Sequence, residues 1–261
     1  MKSNLLPCRH EDETRPHCDK FTEQLVSEII NDYFNARRPI VPAHKISRGI
    51  SRVVSSYAEE RLAYWCVQTF GEKIDHIYVD QDLWDGPEHL ARPDLVVTSK
   101  TNNSGEATIR VLVDVKMDLG HCRDTLAGKA NGKDYGLAGK ANELMKKARA
   151  EGFDGAQIST LDKDGKKKKS DTRLKFSEKC IYIFVVVSGL NIGSDRKVEV
   201  ENRFADCVGE KPLVYLVTML PHTHPNDRAY FSETDAKDQL LRDLKCGNFD
   251  DFKELVRRAL S

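Results

Sequence analysis

The sequence has no apolar run approaching the roughly eighteen residues that a membrane-spanning helix needs, so a spanning protein is not expected. It has no net charge, with 41 Lys and Arg against 41 Asp and Glu, which by itself argues against a nucleic-acid binder. It has no apolar signal core in its first residues, MKSNLLPCRHEDE. Its 7 cysteines are odd in number and scattered, which predicts reduced thiols and a cytoplasmic setting rather than a disulfide framework. It has no GxxxxGK[ST] loop, which argues against a fused helicase or nucleotide-driven motor. It shows no internal repeat. What remains is a chain of 261 residues, 39% hydrophobic and 31% charged, long enough to bury a real core.

Charge is unevenly placed along this neutral chain. From Arg110 to Lys179 there are 17 Lys and Arg against 11 Asp and Glu, a net +6 that the remainder cancels. A basic middle suits phosphate binding over one face, and it also suits ordinary solvated loops.

Residues 1–20 read as a polar arm. Cys8, His10, His17 and Cys18 lie there, but Cys-x-His followed by adjacent His-Cys matches no common zinc spacing. Residues 21–261 read as a single domain. Phe21–Phe34 is predicted helical, with Phe21, Leu25, Ile29 and Tyr33 recurring every four residues. A second helix is predicted from Ser47 to Phe70, closed by Gly71. It carries Glu59 and Glu60; the periodicity turns Glu60 inward with Val53 and Tyr57 and leaves Glu59 nearer the flank. Lys73–Val79 is a predicted strand, and Asp80–Ala91 a loop.

Leu95–Thr98 and Thr108–Lys116 then read as two strands joined by a polar turn containing Asn-Asn-Ser-Gly, a hairpin signal. Asp94 opens the first strand; Asp114 and Lys116 close the second. Asp-x-Lys on a strand sets both side chains on one face, because side chains alternate with period two. Clustered carboxylates at the end of apolar strands need a counter-charge.

Beyond the hairpin, Asp118–Gly139 reads as a long polar loop, too long for an idle connection. A helix is predicted over Lys140–Glu151, and a lysine-rich loop over Leu161–Ser170. Cys180–Ser188 (CIYIFVVVS) reads as a buried central strand. Lys197–Glu201 alternates as an outer strand, and Leu213–Leu220 reads as another buried strand. Ala236–Leu244 and Phe249–Leu260 read as closing helices.

The order helical glutamate, strand, Pro93-Asp94, strand ending Asp114-Val115-Lys116, basic loop, helix, buried strand resembles the PD-(D/E)xK nuclease superfamily. Within it, the pattern is similar to the type II restriction endonucleases. Asp-x-Lys alone carries little, since it occurs six times, at Asp114, Asp164, Asp195, Asp235, Asp243 and Asp251. Only the first ends a long apolar strand, and Pro-Asp occurs once, 20 residues before it. The resemblance spans about residues 50–190.

The resemblance implies an α/β fold, a restriction-endonuclease-like mixed central sheet flanked by helices. It implies a prokaryotic Mg²⁺-dependent endonuclease that cuts double-stranded DNA at a specific sequence, as a homodimer, and leaves 5′-phosphates. Asp94 and Asp114 would ligate Mg²⁺, with the carbonyl of Val115 as a third ligand. Lys116 would stabilise charge at the scissile phosphate, because two neighbouring carboxylates favour its protonated form. Glu59 or Glu60 would hold a second ion or orient water.

Sequence-reading residues are expected in the flanking loops: Arg123, Asp124, Lys129, Asn131, Lys133 and Asn142 in one, His222, His224, Asn226 and Arg228 in another. Arg173 and Lys175 are expected near the phosphate backbone. His222-x-His224 is also a metal-type spacing. The alternatives are a repair, recombination or structure-specific nuclease of the same superfamily, and an inactive DNA-binding protein of that fold.

Overall fold

The computed structural model describes residues 19–37, 53–100, 107–119, 125–128, 136–151, 154–161, 167–189, 194–209, 212–221, 243 and 247–261. The predicted polar arm with Cys8, His10, His17 and Cys18 lies outside them, as does nearly all of the predicted helix Ala236–Leu244.

The core is built on one apolar strand that both faces of the molecule share. Strand β7, Lys167–Ser188, is 22 residues long, and its second half holds Ile181 to Val187 almost wholly buried. Along one edge it pairs in parallel with β5, Ala107–Asp118. Its other edge is divided. The first half pairs antiparallel with β6, Asp154–Leu161, and the second half pairs in parallel with β8, Val214–Leu220. Beyond β5 lie β4, Leu95–Lys100, and β1, His76–Val79, both antiparallel. Beyond β6 lie the short strands β2, Leu83–Asp85, and β3, Glu88–Ala91. The result is a mixed eight-stranded sheet among the described residues.

Alternation gives the sheet two apolar faces. Leu95, Val97, Val111, Val113, Val115, Ile183, Val185 and Val187 pack under three helices: α1 (Lys20–Arg37), α2 (Val53–Phe70) and α5 (Phe249–Ala259). Val96, Ile109, Leu112, Tyr182, Phe184 and Val186 pack under α3 (Gly136–Glu151) and α4 (Ser194–Val208). A bulge between Ile109 and Val111 switches the phase of β5. Ile109 and Val111 therefore face opposite layers although two residues apart. The mixed α/β architecture, a central mixed sheet flanked by helices, agrees with the sequence reading. Among the described residues no helix is long and apolar enough to cross a membrane.

Several elements differ from expectation. Asp80–Ala91 is not all loop, because β2 and β3 form a small antiparallel ribbon there. Lys167–Ser170, read as loop, is the start of β7, its lysines laddered against β6. Gly136–Gly139, also read as loop, is the first turn of α3. Lys197–Glu201 is helical. Alternation would put Val198 and Val200 on one face, yet Val198 is exposed while Val200 is buried with Phe204 four residues on, a helical spacing.

Helix α5 is pinned to the end of β8 by Asn248. Its side-chain Oδ1 accepts from Thr218 N–H at 2.6 Å, and its backbone N–H donates to Thr218 O at 3.1 Å. The close approach requires the preceding glycine, since a Cβ on Gly247 would stand 2.1 Å from Met219 O. Gly247→Ala is therefore expected to destabilise the fold by roughly 1–3 kcal/mol. Chemical denaturation of the two proteins checks this, with an unchanged midpoint as the contrary result.

Candidate active site

The β4–β5 hairpin is the framework of the site. Leu95 pairs with Val113. Continuing that antiparallel register sets Asp94 opposite Asp114 and Pro93 opposite Val115. Asp94 is in phase with Val96, and Asp114 and Lys116 with Leu112, so all three point toward the α3–α4 layer. Two carboxylates directly across an antiparallel pair repel. Lys116, two residues on and diagonal to Asp94, answers both: its Nζ lies 3.7 Å from Asp94 Oδ2 and 3.8 Å from Asp114 Oδ1.

Backbone amides hold the pair in place reciprocally. Val115 N–H donates to Asp94 Oδ2 at 2.6 Å, and Asp94 N–H donates to the Asp114 carboxylate. Pro93 gives a physical reason for the Pro-Asp order: a proline opposite Val115 supplies no N–H to the Val115 carbonyl. A further group comes from the neighbouring strand. Tyr182 of β7 is buried, and its hydroxyl donates to the Asp114 carboxylate. The sequence reading missed this residue. The available signal was a phenol inside the apolar run CIYIFVVVS, since a buried tyrosine hydroxyl needs a partner.

Helix α2 resolves the glutamate pair against the expectation. Glu59 is the buried one, 7% exposed, and Glu60 is exposed. The helix turns Ala58, Leu62, Ala63, Trp65 and Cys66 inward, while Tyr57 and Tyr64 face outward, and Glu60 goes with them. Trp65 sets this rotation. It packs on Phe70, Phe249 and Phe252, and its Nε1–H donates to Thr22 Oγ1 at 3.1 Å.

Too little positive charge is present for the acids gathered here. Burial raises Asp94 from its ordinary 3.8 to about 6, and the Asp114 charge adds to the rise; Lys116 and the Val115 amide oppose it. Burial also raises Asp114, opposed by Lys116, Tyr182 and the Asp94 amide. Glu59 rises from 4.5 to about 7, through burial first and then the charges of Asp94 and Asp80. Asp80 stands at the rim with φ 51°, donates its N–H to Asp94 O, and binds Arg92 through two bonds of 2.9 Å.

The expected DNA-contacting residues are not brought together with these acids. Asn142 is buried in α3, and its Nδ2 donates to Cys207 O of α4 at 2.8 Å. Its amide ties two helices, so its assignment as a base-reading residue is corrected. Arg173 and Lys175 lie at the Ala107 end of the β5–β7 ladder, about seven residues or roughly 20 Å along the strand from Asp114. They do not adjoin the site. Arg123, Asp124, Lys129, Asn131, Lys133, His222, His224, Asn226 and Arg228 lie outside the described residues. The segment that carries the first five leaves the site-bearing end of β5. Gly128 and Gly136, both at positive φ, bracket residues 129–135 and lie against each other, since a Cβ on Gly136 would meet Gly128 N at 2.7 Å.

Hard oxygen donors at this strand end are the carboxylates of Asp94 and Asp114, the Val115 carbonyl and, alongside, Glu59. Among the described residues, no three His, Cys, Asp or Glu side chains converge closely enough to hold an ion by themselves. A hydrated divalent cation needs only one or two protein carboxylates. No family model, no curated protein and no solved structure matches this chain.

A pH prediction follows from the raised acids. Between the ordinary carboxylate range and about 7, the folded state binds more protons than the unfolded state. Unfolding free energy from these groups therefore falls as pH rises through that window. Asp94→Asn is expected to stabilise the metal-free protein by roughly 1–3 kcal/mol at pH near 7.5 and to have little effect near pH 4. Denaturant melts at the two pH values check it; a loss of stability at the higher pH would contradict the charge balance.

Proposed function

We propose that this chain is a Mg²⁺-dependent type II restriction endonuclease that hydrolyses double-stranded DNA at a specific sequence, working as a homodimer. The observation that carries the reading is one ammonium, Lys116, set within 4 Å of two carboxylates, buried Asp114 and half-buried Asp94, that face each other across the hairpin. The donor set fits the ion: the oxygens are hard, and two carboxylates sharing one ammonium leave a surplus of negative charge when ionised. Asp94, Asp114 and the Val115 carbonyl would hold it. When bound, Mg²⁺ neutralises phosphate oxygens and acidifies water.

The chain's own groups supply the rest. Lys116 reaches toward the scissile phosphate and stabilises the charge that builds there. Glu59, with a pKa near 7, orients the attacking water and accepts a proton from it at neutral pH. The Asp94–Val115 and Asp114–Asp94 amide bonds fix the acids before substrate arrives, so little reorganisation is needed. The long polar segment after β5 is the first place for sequence reading, because it leaves the same strand end. A two-fold dimer would present two such sites to the two strands of a palindrome.

Incubation with phage DNA and Mg²⁺ tests the reading: discrete fragments with 5′-phosphate ends are expected. Lys116→Ala should lower cleavage roughly 10²–10³-fold, and Asp114→Ala should abolish it. Glu59→Gln should cost at least about tenfold while Glu60→Gln leaves the rate within about twofold. Preference for branched DNA would instead favour a structure-specific nuclease. Folded protein that cuts no DNA in Mg²⁺ would overturn the enzymatic reading.

A further inference from the structure

Arg110 stands at a break in the sheet. Its neighbours Ile109 and Val111 pair with the adjacent residues Thr98 and Val97 of β4, so Arg110 has no ladder partner there. On β7 the same two neighbours pair with Phe176 and Ile181, so Arg110 lies opposite the stretch Ser177, Glu178, Lys179 and Cys180. A bulge re-aims a side chain instead of extending the ladder. Here it presents the half-buried guanidinium to two hydroxyls: Arg110 Nε donates to Ser99 Oγ at 2.8 Å, and Nη1 donates to Ser177 Oγ at 2.9 Å. The backbone N–H of Lys179 donates to the same Ser177 Oγ at 3.1 Å. A second guanidinium arrives from the end of α3, where Arg149 Nη2 donates to Glu178 O at 2.9 Å. Arg149, Glu178 and Lys179 are exposed, so the bulge opens to solvent.

These cations lack the counter-charge that others in the molecule have. Arg61 is paired with Glu28 and Asp32, Arg92 with Asp80, and Lys147 with Glu88. Among the described residues, no carboxylate forms an ion pair with Arg110, Arg149 or Lys179. The two guanidinium groups bond hydroxyl and carbonyl oxygens, which leave their charge in place. The bulge itself carries one acid, Glu178, against these three positive charges. Burial pushes the thiol of Cys180, the last bulge residue, up to about 12, and the charges of Arg110 and Arg149 both oppose that rise. Both guanidinium groups therefore act at one place.

We infer that the Arg110 bulge is an anion site that takes a phosphate group, separate from the acids of β4 and β5. A guanidinium fork matches phosphate oxygens, and the serine bonds orient the Arg110 fork before a ligand arrives. Arg110 precedes Asp114 on β5 by about 13 Å of strand, too far for one phosphate to touch both. The phosphate therefore belongs to the backbone of a bound polynucleotide, away from any bond being cut, or to a small free ligand. The inference goes beyond the proposed nuclease and needs neither metal nor cleavage.

Arg110→Gln and Arg149→Gln test it, with Arg258→Gln on α5, under the opposite face of the sheet, as a control that also removes one charge. Arg149 is exposed, so its variant decides the matter should Arg110→Gln fail to fold. Two probes are applied to the full-length proteins in EDTA. A labelled DNA duplex is followed by fluorescence anisotropy over a range of salt, and inorganic phosphate is followed by thermal melts at constant ionic strength. The expected result is duplex binding weakened roughly tenfold by each bulge variant near 0.1 M salt, with the salt slope lower by about one. That result identifies a backbone phosphate. If inorganic phosphate raises the melting temperature of the wild type but not of the variants, while duplex binding is unchanged, the site serves a free phosphate ligand. Bulge variants that match wild type with both probes, or a control that loses as much as they do, overturn the inference. Since neither probe is cut, failure of a cleavage assay removes the proposed nuclease and leaves this site standing.

Discussion

Two carboxylates face each other across an antiparallel pair, on one side of the sheet, at the edge of a dry core. That placement is unfavourable, and the neighbouring structure answers it. Cross-strand like charges destabilise, and burial removes the water that would screen them. Lys116 stands between the two acids. Each acid also takes a backbone N–H from the other's strand, Val115 to Asp94 and Asp94 to Asp114. The phenol of Tyr182 braces Asp114 from the third strand. None of these groups lies on a freely moving element. β4, β5 and β7 are neighbours in the sheet, with apolar layers on both faces. The two cores are what hold the repelling pair in register.

The same dependence extends to Glu59, although it lies on a helix. Its inward direction follows from the rotation of α2, and that rotation is set by Trp65 wedged among Phe70, Phe249 and Phe252. The last helix of the chain thereby helps to orient an acid near its start. Asp80 extends the acidic edge, and its pairing with Arg92 brings a guanidinium to the rim. The field at the strand end is therefore a product of packing far from it.

Much of this was legible in the sequence where the governing interaction is local. Alternation with period two puts Asp114 and Lys116 on one face, and hairpin register brings Asp94 beside them; both follow from short-range rules. The buried strands Cys180–Ser188 and Leu213–Leu220 were visible in their apolar content. Where a distant partner decides, local reading failed. Glu59 and Glu60 differ by one position on a helix whose rotation Trp65 fixes through contacts with a segment nearly two hundred residues later. Val198 and Val200 look like alternation until Phe204, and packing under the sheet, reveal a helix. Asn142 looked available for a base, whereas the fold commits its amide to Cys207. Tyr182 could not be assigned to Asp114 because no local pattern announces a parallel β5–β7 pairing.

The charge balance separates two accounts of the same residues. An ordinary edge-strand ion pair matches one lysine to one acid, and the pairing draws the acid below its usual range. Here one lysine serves two acids, buried Asp114 and half-buried Asp94, with a third close by, and all three acids stand above their usual range. Such a cluster is less stable ionised than a neutral one would be, so fold stability alone gives no reason for it. On the proposed function, a divalent cation and a phosphate chain together would supply what is missing: the cation would meet the surplus negative charge of Asp94 and Asp114, and the phosphate would give Lys116 a partner. On that proposal, the imbalance that makes the site costly by itself is what would make it receptive to the combination.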